Sequence, residues 1–129
     1  MAETRTQAHR AAPVLADVVD TAHLARYTMG DEKLERELLR MFATQAEELL
    51  AMLENAGGQE AWRMAAHTLK GAARAIGAFP IAEEAARLEH LPPAEGRHML
   101  EDLRHHITRF RQAFRHWEEG LSRHDGECA

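Results

Sequence analysis

Between residues 32 and 55 the side chains Leu34, Leu38, Met41, Phe42, Gln45, Leu49, Met52 and Leu53 fall at steps of three and four. That is the period of one helix face, and it predicts an amphipathic helix of about 36 Å from about Glu32 to Asn55. Asp31 stands at the position of its N-cap, and Gly57-Gly58 stops it. A second stripe, Met99, Leu100, Leu103, Ile107, Phe110, Phe114 and Trp117, predicts a closing helix over about Ala94 to Glu119. Two shorter helices are expected between them. One spans about Gln59 to Ile76 and ends on Gly77, a residue suited to the left-handed C-terminal position. The other spans about Pro80 to Leu91, carries Ile81, Ala85 and Leu88 on its apolar edge, and ends at Pro92-Pro93. Asp20 caps a further short helix, about Thr21 to Tyr27, which Gly30-Asp31 breaks.

Tight Gly and Pro turns make sequential helices antiparallel neighbours. The expected fold is therefore all-α: an up-down-up-down four-helix bundle with a short N-terminal cap helix. Residues 1–16 read as a loose lead-in, 17–119 as the domain and 120–129 as a polar tail. Composition agrees, because apolar content is 45% while aromatics are only 5%, leaving Ala, Leu and Met to fill the interior. A formal charge of -5 argues against a nucleic-acid partner. The single cysteine, Cys128, has no internal partner for a disulfide, and no apolar run reaches the roughly 20 residues of a membrane span. A soluble cytoplasmic protein, most simply a monomer, is the expectation.

Chemistry concentrates on the Gln59–Ile76 helix. With His67 set at zero on a wheel of about 100° per residue, Trp62, Ala65, Leu69, Ala72 and Ile76 lie on the far side. Glu60, Arg63, Met64, Lys70, Gly71 and Arg74 share the face of His67. That places an imidazole at the centre of the solvent face. Gly71, one turn on, removes the side chain that would shade it, at a helix cost of about 1 kcal/mol relative to Ala. Such a cost is explained by close approach of another protein's backbone, or by tight helix packing. Lys70 is expected to discourage imidazolium formation and to pair with phosphoryl oxygens later. Arg63 and Arg74 widen the cationic frame, unless they simply pair with surface acids such as Glu60.

The run His67-Thr68-Leu69-Lys70-Gly71, followed by Gly77-Ala78, resembles the core motif of histidine-containing phosphotransfer (HPt) domains, four-helix-bundle modules of bacterial phosphorelays. The likeness extends from about Asp20 to Trp117 and includes the Ala85-Ala86-Arg87-Leu88-Glu89 helix. It implies that His67 accepts a phosphoryl group from a receiver-domain phospho-aspartate and passes it to another receiver. It carries Lys70 over as the charge-stabilising residue and Gly71 as the one that gives access. Partners would be receiver domains of response regulators or hybrid histidine kinases, with Arg63, Met64 and Arg74 as docking residues. Ala72 and Ala73 stand where many members carry small hydroxyl residues, and Arg74 stands where they tend to carry a small one, which bears on partner choice. No intrinsic cofactor is implied, because the receiver brings its own Mg²⁺. No Gly-rich phosphate loop or acidic metal cluster suggests a kinase module, so a carrier rather than an enzyme is expected.

Two other readings compete. The same bundle could bind a receiver without transfer, although intact His67 and Lys70 argue against that. His98, Asp102, His105 and His106 have spacings that could ligate a metal, but adjacent His105 and His106 point about 100° apart, so a solvated polar face is the simpler expectation. Met41, Met52 and Met64 read as core filling, with Met64 close enough to His67 to touch a partner.

Overall fold

The computed structural model describes residues 12–128, and every regular element among them is helical. In chain order these are α1 (Leu15–Val18), α2 (Thr21–Thr28), α3 (Glu32–Glu54), α4 (Gln59–Ile76) and α5 (Phe79–Glu89). A single turn α6 (Pro93–Gly96) and a 3-10 turn (Arg97–Met99) lead into α7 (Leu100–Cys128). Helix α3 packs on α4, α4 on α5, α5 on α7 and α7 back on α3, closing a ring of four. No helix among the described residues is long and apolar enough to cross a membrane.

Local chemistry sets the helix ends. The Asp20 carboxylate accepts from the His23 N–H at 3.0 Å, and that of Asp31 from Lys33 and Leu34, so both acids satisfy otherwise orphaned donors. Gly77 takes φ +85°. Around it the Ala78 N–H donates to Ala73 O and the Gly77 N–H to Arg74 O, closing α4 in a Schellman motif. A Cβ at Gly77 would also stand 2.9 Å from Asp20 O, whose own N–H donates to Gly77 O. Gly77 thus lets the chain before α2 lie directly on the end of α4.

Three expectations change. Residues 13–16 are not a loose lead-in: Pro13 and Leu15 are buried and α1 packs against α7; Ala12 is exposed, and residues 1–11 lie outside the described residues. The closing helix is interrupted at Arg97–Met99 and then runs past Glu119 to Cys128. The buried arc of α3 is Leu39, Phe42, Ala46, Leu49, Leu50 and Leu53, whereas Leu34, Met41 and Met52 are exposed. The apolar stripe of α3 is wider than the arc its neighbours cover, and its excess lies on the α4 side. Met41 and Met52 are therefore surface residues rather than core filling, and Met64 is exposed as its place on the face of His67 implies.

Trp62 is the largest wholly buried side chain. Its indole Nε1–H donates to Leu88 O at 2.7 Å, tying α4 to the C-terminal turn of α5.

Candidate functional site

Burial along α4 follows the expected wheel. Trp62, Ala65, Leu69 and Ile76 are buried with Ala66 and Ala73, and Ala72 is half-buried. His67 projects away from them with its side chain 58% exposed. Nothing lies within 4 Å of a Cβ built on Gly71, so tight packing inside the bundle does not explain that glycine. It leaves open space beside the imidazole.

The structure adds a residue that the wheel of one helix does not show. Glu89, the last residue of α5, accepts a hydrogen bond from His67 Nδ1 at Oε2, 2.9 Å away. Its other oxygen, Oε1, is 2.6 Å from Lys70 Nζ. A carboxylate can only accept, so the bond places a hydrogen on Nδ1, and a neutral ring held this way carries its lone pair on Nε2. Nε2 has no hydrogen-bonding partner among the described residues. Glu89 is largely buried and Lys70 half-buried, so both are held more firmly than surface pairs usually are. The Lys70 ammonium against it, opposed by desolvation and assisted by His67, holds the Glu89 carboxyl below the usual carboxylate range.

This arrangement corrects the role given to Lys70 at rest. Its charge does not bear on the imidazole uncompensated, because Glu89 lies between them and neutralises it. Arg63 is also committed, its Nη2 donating to Glu60 Oε1 at 2.8 Å, as the plainer alternative held. Arg74 is exposed and has no acidic partner among the described residues. Met64 and Thr68 line an open apolar groove with Leu49, Met52, Ala56 and Ala61, so the methionines border the face of His67 on its α3 side.

A sequence signal for Glu89 does exist. His67 lies ten residues before Gly77 and Glu89 eleven after Ala78. A tight turn folds those two positions to the same level of the α4–α5 hairpin. An acid at a helix C-terminus also opposes the dipole, which is a reason to look for a cation beside it.

His98, in the 3-10 turn, and His105 and His106, on α7, do not converge. His106 Nε2 is 3.9 Å from Glu84 Oε1, His98 and His105 are exposed, and no group of three metal-ligating side chains occurs among the described residues. Buried Glu84 instead pairs with Arg87.

A pH prediction follows from Glu89. Its pKa is depressed in the fold, so the stability it contributes is present above its unfolded value near 4.5 and is lost as pH falls through the lower folded value. Glu89→Gln should therefore unfold at a lower temperature than the wild type at neutral pH. The gap should narrow below about pH 4.5. A gap that stays constant down to about pH 2 would contradict the pairing.

Comparison with known proteins places this geometry. No curated protein matched the chain. Among solved structures, histidine-containing phosphotransfer protein B (HptB) from Pseudomonas aeruginosa PAO1 is similar, with a TM-score of 0.68 and 25% sequence identity over 79% of this chain and 95% of that one. The Hpt domain profile matches residues 37–116, which include His67, Lys70, Gly71 and Glu89. The chain belongs to the Hpt domain family.

Proposed function

We propose that this protein is a phosphoryl carrier that takes a phosphoryl group onto His67 from a receiver-domain phospho-aspartate and hands it to another receiver. The observation that carries this reading is the polarised, exposed imidazole: Nδ1–H bound to Glu89, Nε2 without a hydrogen-bonding partner among the described residues, open space over Gly71. In the forward step the Nε2 lone pair attacks phosphorus. The P–N bond forms, the acyl P–O bond breaks, and the aspartate carboxylate leaves with the bonding pair. The ring becomes formally cationic, and Glu89 is placed to compensate that charge at Nδ1 or to accept its proton. Lys70, already beside Glu89, is within reach of the new phosphoryl oxygens as a partner. The reverse step needs the same groups.

Phosphoryl transfer depends mainly on positioning and charge stabilisation. A histidine held on a helix that is locked by Trp62 and Glu89 supplies the first. Mg²⁺ and the acidic cluster that binds it belong to the receiver in this scheme, so the carrier needs neither a nucleotide site nor a metal of its own. The apolar groove beside Met52 and Met64 gives the partner a surface on which to settle.

The test is direct. Incubation with a phosphorylated receiver domain and Mg²⁺ should yield a stoichiometric phosphate that is acid-labile and alkali-stable, with peptide mapping placing it on His67. An acid-stable phosphate, or label on another residue, would remove the assignment.

A further inference from the structure

Three cations share the His67 face, and their charges are not equivalent. Arg63 is neutralised by Glu60 and Lys70 by Glu89. Arg74 has no carboxylate within 4 Å among the described residues, and it is exposed. It is thus the uncompensated positive charge of the phosphoacceptor face in the resting protein. Resting on the carrier reading above, we infer that Arg74 is a specificity-determining residue that selects a partner with an acidic rim beside its phospho-aspartate.

Distance separates this role from a chemical one. Arg74 is seven residues beyond His67, about 10 Å along the helix axis, and on the ideal wheel the two lie about 20° apart. That span is comparable to the Debye length of about 10 Å at 0.1 M salt, so at ordinary ionic strength Arg74 has little hold on the imidazole. A docked partner that spans both positions can place a carboxylate against the guanidinium, where screening is weak. Long helical side chains lean toward the N-terminus and cover the preceding turn, and that turn contains Gly71, over which nothing is packed. The arginine therefore borders the open space through which a partner must come.

Other arginines lack the combination. Arg115 is likewise exposed and without an ion pair among the described residues, but it lies on α7, in a groove lined by Arg40, Glu47 and Glu118 rather than beside His67. It serves as the control. A charge at the rim of an interface alters encounter rate and salt dependence far more than chemistry within the complex.

The experiment measures transfer from receiver domains charged with acetyl phosphate to wild type, Arg74→Gln, Arg74→Glu and Arg115→Glu, at low and high salt. In single-turnover transfer, Arg74→Glu should raise the half-saturating concentration of the phospho-receiver by about tenfold at low salt while the limiting transfer rate stays within about twofold. Arg74→Gln should fall between, the difference should shrink at high salt, and Arg115→Glu should match wild type. All four proteins should share one thermal midpoint to within about 2 °C, as exposed substitutions do. An unchanged half-saturating concentration in Arg74→Glu, or an equal rise in Arg115→Glu, overturns the inference and leaves the carrier reading standing. A wild-type protein that takes no phosphoryl group from any receiver overturns both.

Discussion

His67→Gln should lose phosphoryl acceptance by at least about a thousandfold while folding as the wild type does. The size of the loss comes from chemistry rather than structure. An amide nitrogen has no lone pair free to attack phosphorus, and covalent transfer without its nucleophile keeps only binding and charge stabilisation. The fold should survive because the side chain is 58% exposed and lies outside the buried stripe of α4. The glutamine NH₂ can donate to Glu89 much as Nδ1–H does, so Lys70 keeps its partner and no buried carboxylate is orphaned. Retention of label on a phosphate-affinity gel, together with the thermal midpoint, checks both halves. Label on the glutamine protein at the wild-type rate would mean that another residue carries the phosphate.

Sequence reasoning reached the ends of the helices before the closing one because they rest on local chemistry. Asp20 and Asp31 cap, Gly77 takes the left-handed turn, and Pro92-Pro93 stops α5. It reached the exposure of His67 because one helix has one wheel. It did not reach Glu89, since that contact joins two helices and depends on how the α4–α5 hairpin is registered. The consequence is chemical. Read alone, α4 presents a lysine that repels a proton from its histidine; read with α5, it presents a triad in which an acid orients the ring and neutralises the lysine.

The exposure of Met41 and Met52 escapes the wheel for a related reason. Periodicity reports how wide an apolar stripe is, but neighbours decide how much of it they cover. On α3 the cover ends at Leu49 and Leu53, leaving Met52 and Met41 outside. Their apolar area is not idle, because Met52 and Met64 line the groove next to Thr68, the residue that follows His67. A wheel drawn with too broad a core had therefore absorbed part of the surface that a partner would use.

Gly96→Ala should destabilise the protein by about 3 kcal/mol, a lowering of the thermal midpoint by roughly 10–15 °C. Backbone strain plays no part, since Gly96 has ordinary right-handed helical angles, φ -64° and ψ -32°. Helix propensity alone would favour alanine by about 1 kcal/mol. Packing opposes it, because a Cβ there would overlap Cζ2 of Trp62 and stand 2.8 Å from Cη2. The indole has nowhere to retreat. It is wholly buried, and its Nε1–H is held by Leu88 O, so a shift large enough to clear a methyl group would strand a buried donor. Because Trp62 lies on α4 five residues before His67, the clash should also loosen the hairpin that brings Glu89 to the imidazole. Trp62→Phe in the Gly96→Ala background offers the internal check: the phenyl ring is smaller than the indole and makes room, so the double variant should lose less than the sum of the two single losses. Strict additivity in urea unfolding would show that the indole is not what confines position 96.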